Sequence, residues 1–195
     1  LSESLSISEN EVLSAYKILK ADHLITIKND QYIIEKVVVP TYLFDEVISL
    51  YELIEKLHFT PSIEVLSCDI VNTPKHLKDL FNSSKVIRNR RIYKGSDRPL
   101  FYLDCYIDIR FQDLMDHFIK NEPYYDVLSQ STQIHHSVRT FEANNANKEI
   151  ASYLNLPENS VIVSSIIKTY DDHQQLIEVI ESSNVVEVQH FIVES

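Results

Sequence analysis

The chain has 195 residues, 44% of them hydrophobic, and 29 acidic against 18 basic side chains leave a net charge of −11. That apolar content excludes a disordered chain, and the length fits one or two domains. The acidic balance repels nucleic acid and anionic membranes, so any DNA contact has to come from a local patch.

Ser8-Glu9-Asn10-Glu11 opens a helix, with Ser8 as N-cap and Glu11 completing a capping box. Val12, Ala15, Tyr16 and Leu19 follow at helical spacing, and Ile7 is placed to staple onto Val12 or Tyr16. The helix is expected to end near Asp22-His23. Leu24–Lys28 reads as a strand, Asn29-Asp30 as a tight turn and Tyr32–Lys36 as the return strand. One helix and one hairpin make no core, so the chain is expected to begin partway through a small domain. Val37–Leu43 reads as a linker punctuated by Pro40, and residues 43–57 carry a helical apolar stripe.

Ile63–Val71 reads as a strand and Pro74 as the start of a short helix reaching Phe81. Residues 85–108 then form a long hairpin around Gly95, the one glycine of the chain, expected where a positive φ is needed. Its first strand carries Arg88, Arg90 and Arg91, either as solvated strand charge or as an anion site. Phe111–Phe118 and the stretch after Pro123 read as brief helices, and Gln133–Ala143 as a strand with a polar face. Asn144 or Asn145 is expected to cap a helix containing Ile150, Ala151 and Leu154. Val161–Ile167, Leu176–Ser182 and Val185–Val193 are the closing strands. Strand following strand with helices interspersed predicts an α+β class with a mainly antiparallel sheet.

Cys68 and Cys105 sit singly in strands and read as reduced thiols. The eight histidines show no metal-ligand spacing, and in His135-His136 a strand would turn the rings to opposite faces, so neither metal nor cofactor is expected. No stretch approaches the roughly 18 apolar residues of a membrane span and no signal-peptide pattern appears. A cytoplasmic protein without membrane contact is expected.

Helix then hairpin is the order of the second half of a winged helix-turn-helix. Leu5, Ile7, Ser8, Val12, Ala15, Leu19, Leu24 and Ile25 fall where the recognition helix of GntR-family transcription regulators has L-G-V-S-R-x-T-V-R-x-A-L-x-x-L-x-x-E-G-L-I. The resemblance implies operator contact through Ser8, Glu9, Asn10, Glu11, Ser14, Lys17 and Lys28. The family's arginine, threonine and second arginine are Glu9, Glu11 and Leu13 here. Acidic residues there repel phosphates; they are also the residues favoured at a helix N-terminus, and either could accept from a cytosine amino group.

Residues 44–193 resemble the UTRA effector domain of the HutC subfamily of those regulators. Ser49–Glu52 through Phe59–Ser62 is similar to the S-F-x-E…G-x-x-P-S entry, and Arg91–Pro99 to R-x-R-x-x-D-G-x-P. Tyr125–Leu128 resembles S-L-Y-x-x-L, Phe141–Ala143 with Ile150–Leu156 the I-x-A…A-x-x-L-x-V block, and Ile177-Glu178 the late V-E pair. The resemblance implies a chorismate-lyase-like fold, a homodimer and one effector pocket per subunit. Carried over residue by residue, Arg91 would clamp an anionic effector such as a sugar phosphate or carboxylate. Ser49 and Tyr125 would donate hydroxyls, Glu178 would accept them or orient Arg91, and Tyr93 stands in place of the second arginine. The usual acidic residue after the proline is Leu103, with Asp104 one later on the opposite face. The tyrosine after the late glutamate is Asn184.

The domain reading is therefore 1–37 as part of a winged helix-turn-helix, 38–43 as linker and 44–195 as effector domain. The expected function is a DNA-binding transcription regulator, in the sense of a repressor, controlled by a small anionic effector. The alternative is a sensor or interaction module that no longer binds DNA itself. An enzyme is not expected, because no nucleophile–base spacing or acid–base pair is present.

Overall fold

Most of the chain is built from alternating apolar and polar residues, and these pair into one large sheet. The computed structural model describes residues 8–21, 25–28, 31–34, 41–42, 49–120, 122–188 and 190–191. Outside them lie the expected staple residue Ile7, the helix end at Asp22-His23, the Asn29-Asp30 turn, residues 37–40 of the linker, the first part of the 43–57 stripe, and Ile192-Val193.

Helix α1 (Glu9–Ala21) begins as the capping box requires. The Glu11 N–H donates to Ser8 Oγ at 3.2 Å, and Glu11 Oε2 accepts from the Ser8 N–H at 2.8 Å and its hydroxyl at 2.7 Å. Those bonds hold the Glu11 carboxyl below its ordinary range. Strands β1 (Ile25–Lys28) and β2 (Gln31–Ile34) pair antiparallel with Lys28 opposite Gln31. Tyr16 of α1 stacks on Tyr32 of β2 with ring centroids 4.1 Å apart, so the helix is fixed to the hairpin.

Strand β3 (Thr41–Tyr42) precedes helix α2 (Leu50–Lys56), which buries Leu53 and Ile54. Then come β4 (Pro61–Asn72), a 3-10 turn at Lys75–Leu77, β5 (Lys85–Gly95) and β6 (Arg98–Asp108). A 3-10 stretch at Ile109–Leu114 leads into α3 (Met115–Phe118), followed by α4 (Tyr124–Leu128) and β7 (Ile134–Asn145). The last elements are α5 (Lys148–Tyr153), β8 (Val161–Asp171), β9 (Leu176–Val185), a 3-10 turn at Val186–Val188 and β10 (His190–Phe191). Six strands form one antiparallel sheet in the order β4-β5-β6-β9-β8-β7. With its helices it is the α+β arrangement that the sequence and its resemblance imply.

Several expectations are corrected. Gly95 does not have a positive φ; the two residues that follow it do, Ser96 at 49° and Asp97 at 70°. Gly95 pairs with Arg98, so Ser96 and Asp97 alone make the turn, in the sense that matches strand twist. The glycine is needed for another reason. A Cβ there would lie 2.7 Å from Leu100 Cδ1 and 2.9 Å from Phe59 Cβ. Asn147, not Asn144 or Asn145, caps α5, because β7 runs on to Asn145. Its side chain accepts from the Ile150 N–H at 2.9 Å. Asn147→Ala should cost about 1 kcal/mol, seen as a lower urea midpoint at unchanged slope. The two strands expected at 176–193 are one long strand and a short one. The short one, β10, leaves the sheet and pairs parallel with β3. A bulge between Ile134 and His136 brings the His135 and His136 rings edge-to-face at 5.4 Å instead of onto opposite faces. Phe111–Phe118 is a 3-10 stretch followed by one helical turn, and the Lys75–Phe81 helix is a 3-10 turn.

Candidate effector site

Side chains two apart on a strand share a face, and register partners share it across strands. Arg91 lies opposite Leu103, which lies opposite Ser182; Tyr93 lies opposite Phe101 and then Asn184; Ile107 lies opposite Glu178, which lies opposite Thr169. Arg91, Tyr93 and Glu178 therefore project from one face of the sheet. Helix α4 lies over this face and brings Tyr125 to it, where the Tyr125 hydroxyl makes side-chain hydrogen bonds with Thr169 and Glu178.

Arg91 is 1% exposed. Its Nε donates to Asn89 Oδ1 at 2.6 Å, Nη2 to the Phe118 carbonyl at 2.9 Å and Nη1 to the Glu122 carbonyl at 3.3 Å. Asn89 Nδ2 also donates to the Phe118 carbonyl, at 3.1 Å. A buried guanidinium is tolerated here because a side-chain amide and two backbone carbonyls receive its protons. Phe118 ends α3, so its carbonyl is one of the acceptors that a helix C-terminus leaves without an intrahelical donor, and a cation there is favoured.

Glu178 is fully buried and accepts from Thr169 Oγ1 at 2.9 Å. Cys105 lies between the two charges, paired in register with Asn89 on one side and Ile180 on the other. Burial pushes its thiol well up, Glu178 adds to the rise and Arg91 opposes it. Cys68 and Cys105 are both free thiols, with Asn89 between them in register. The Tyr125 phenol is raised well above its ordinary range, first by burial and then by the Glu178 charge. A phenol raised in the folded state stays protonated there when the unfolded chain, at about pH 10, has begun to ionise. The folded state then holds more protons, so stability falls as pH rises above about 10. Tyr125→Phe should flatten that fall, measured by urea unfolding between pH 9 and 11.

Two expected residues sit differently. Ser49 caps α2, accepting from the Glu52 N–H at 3.1 Å, which leaves its hydroxyl proton for another acceptor. Lys28 closes β1 opposite Gln31. Glu9, Asn10, Ser14 and Lys17 are exposed on α1, whereas Ser8 and Glu11 are engaged with each other in the cap. Asn89, Thr169, Cys105 and Ser182 were missed by sequence reasoning; the period-two spacing Asn89-x-Arg91 was the available signal for the first.

The other face of the sheet has the opposite character. Arg88 is not a solvated charge: Nε donates to Asp104 Oδ1 at 2.8 Å, and Nη2 reaches Oδ2 of the same carboxylate. This fork raises the Arg88 guanidinium further, and Tyr106 donates to the same carboxylate at 3.2 Å. Arg90 donates to Ser67 Oγ at 2.9 Å. A cavity of about 360 Å³ lies on this side, with Arg88, Asp104, Glu142, Glu149 and Glu181 among its lining. One cation against four carboxylates disfavours an anionic occupant of this cavity. Among the described residues, no group of His, Cys, Asp and Glu could hold a metal ion, and no helix is long and apolar enough to cross a membrane.

The UTRA domain family model matches residues 56–183. The fold is similar to the crystal structure of PhnF from Mycobacterium smegmatis, with a TM-score of 0.72 at 11% identity over 100% of this chain and 88% of that one. It is similar to the possible transcriptional regulator YydK from Bacillus subtilis, with a TM-score of 0.66 at 14% identity over 100% and 86%. The ligand-binding domain of a putative GntR-family transcriptional regulator from Bordetella bronchiseptica matches with a TM-score of 0.63 at 15% identity over 69% and 92%. Comparison with curated protein sequences gives no match.

Proposed function

This chain belongs to the UTRA-domain family, and on that premise we propose that it is a transcription regulator of the GntR type, HutC subfamily, not an enzyme. Its body binds a small anionic effector and its N-terminal helix and hairpin bind operator DNA. The observation that carries this reading is that Arg91, Tyr93 and Glu178 share one sheet face, with Tyr125 of α4 hydrogen-bonded to Glu178 on it. A forked cation beside hydroxyls and a carboxylate suits a ligand with an anionic head and hydroxyls behind it, such as a sugar phosphate. Tyr93 in place of a second cation leaves one guanidinium to meet the anion. Ser49 adds a hydroxyl from the cap of α2. The expected sense is a cytoplasmic homodimeric repressor, in which effector binding lowers operator affinity through a coupling of about 1–3 kcal/mol.

The test is fluorescence anisotropy of the intact protein on its own promoter DNA, with and without sugar phosphates. Specific binding that weakens steeply with salt and weakens again with one of these ligands supports the reading. Absence of specific binding at every salt concentration rejects the DNA half.

A second reading is favoured by one observation, the acidic first turn of α1 at Glu9 and Glu11. In it the chain senses a ligand and acts through a partner. Glu9→Arg would then create DNA affinity where the native protein has none, and tight binding by the native protein rejects this reading.

A further inference from the structure

We propose that Arg91 is a latch that reads an anion by displacement. In the state described, its guanidinium holds the α3–α4 connection onto the sheet; an anion takes the guanidinium and releases that connection. The ligand half of this inference rests on the effector site proposed above. The holding half rests on geometry alone.

Both backbone acceptors of Arg91 flank the short connection between α3 and α4. Phe118 closes α3, and Glu122 stands just before Pro123, the N-cap of α4. One planar group thus joins two carbonyls four residues apart to β5, the strand next to the edge of the sheet. These acceptors are neutral. A phosphate or carboxylate oxygen is a stronger acceptor for the same donors, because both partners then carry charge. An anion reaching Arg91 can therefore compete with the carbonyls.

The cost of release is unequal at the two ends. The Phe118 carbonyl keeps a donor, since Asn89 Nδ2 already reaches it at 3.1 Å. The Glu122 carbonyl has the longer bond to Arg91, 3.3 Å against 2.9 Å. The Glu122 end should open first, with the Phe118 end as pivot.

What moves next follows from the contacts. Helix α4 carries Tyr125, which meets Glu178 on β9 and Thr169 on β8. Strand β9 continues through the Val186–Val188 turn to β10, and β10 pairs with β3 on the linker side of the body. A contiguous set of packed and hydrogen-bonded elements therefore connects the latch to the segment between body and head. Arg91 is in this scheme a positioning residue as well as the anion's partner.

Hydrogen exchange of the intact protein, read by mass spectrometry on peptides covering α3 and α4, tests both halves. Without any ligand, Arg91→Lys keeps the charge but loses the fork, and should speed exchange there about tenfold while β7 and β8 stay as in the native protein. Ile162→Ala, a cavity in the core at β8, serves as control: it should speed exchange broadly, without selectivity for α3 and α4. Unchanged exchange in Arg91→Lys, or the same broad pattern as Ile162→Ala, overturns the latch. The ligand half uses inorganic phosphate and glucose 6-phosphate as probes. At least one should raise the melting temperature of the native protein and speed exchange at α3 and α4, both effects weakening in Arg91→Lys. A probe that raises the melting temperature through Arg91 but slows exchange there overturns displacement and leaves the effector site standing. Probes that change neither quantity overturn the anion site, and displacement with it.

Discussion

Replacing Arg91 by alanine is expected to destabilise the domain by about 3 kcal/mol, which corresponds to a fall in melting temperature of roughly 6–12 °C for a body of this size. The reason is what the side chain leaves behind. Asn89 Oδ1 and the carbonyls of Phe118 and Glu122 all face its buried guanidinium. The Phe118 carbonyl keeps a second donor, Asn89 Nδ2. Truncation removes a donor from a site closed to solvent and leaves Glu178 buried with its countercharge gone from the neighbourhood of Cys105. Arg91→Lys should lose less, because the charge stays. A denaturation series on the native protein and both variants checks the order. Alanine no worse than lysine would mean that the charge is not what the interior requires.

Gly95→Ala is expected to cost about 2 kcal/mol, and Gly95→Val more, although no unusual backbone angle is involved. The added methyl would sit 2.7 Å from Leu100 Cδ1, in a core where Leu100 is fully buried, and 2.9 Å from Phe59 Cβ. Phe59 follows α2 closely in sequence and Leu100 opens β6, so the methyl pushes apart a helix exit and the central hairpin. The converse change lies two residues on. Asp97 holds a φ of 70°, so Asp97→Gly should gain about 1 kcal/mol by relieving that conformation. Urea midpoints for the two variants should move in opposite directions. If both fall, the turn residues are not strained and the account of this hairpin fails.

Elements set by local chemistry were legible in the sequence. The Ser8–Glu11 box, the hairpin at 85–108 and the helix after Pro123 depend on residues within a few positions of one another, and each formed where the residues placed it. The shared face of Arg91 and Tyr93 was also legible, because period two is a property of any strand. What depends on a distant neighbour was not. The role of Gly95 comes from Phe59, thirty-six residues earlier, which no local pattern reports. Arg88 finds Asp104 because the register sets Arg88 opposite Tyr106 and Asp104 lies two residues from it on the same face. That pairing follows from the two-residue turn at Ser96-Asp97, whose positive φ angles the glycine before it does not share. Asn147 displaced Asn144 and Asn145 as cap because β7 kept its pairing with β8 as far as Asn145 opposite Val161. Two acceptors of Arg91, at Phe118 and Glu122, are backbone carbonyls, and carbonyls have no sequence signature at all.

The parallel pair of β3 and β10 has a consequence for how the molecule is made. Its register joins His190 to Thr41 and Phe191 to Tyr42, across about 150 residues of chain. The six strands of the sheet lie entirely between those two segments in the order of synthesis. On the ribosome, helix α1 and its hairpin emerge long before the partner of β3 exists. Their attachment to the body cannot be completed until residues 190–191 have left the exit tunnel, whatever has folded by then. A nascent or prematurely stopped chain could therefore carry a formed helix and hairpin on an unanchored tether.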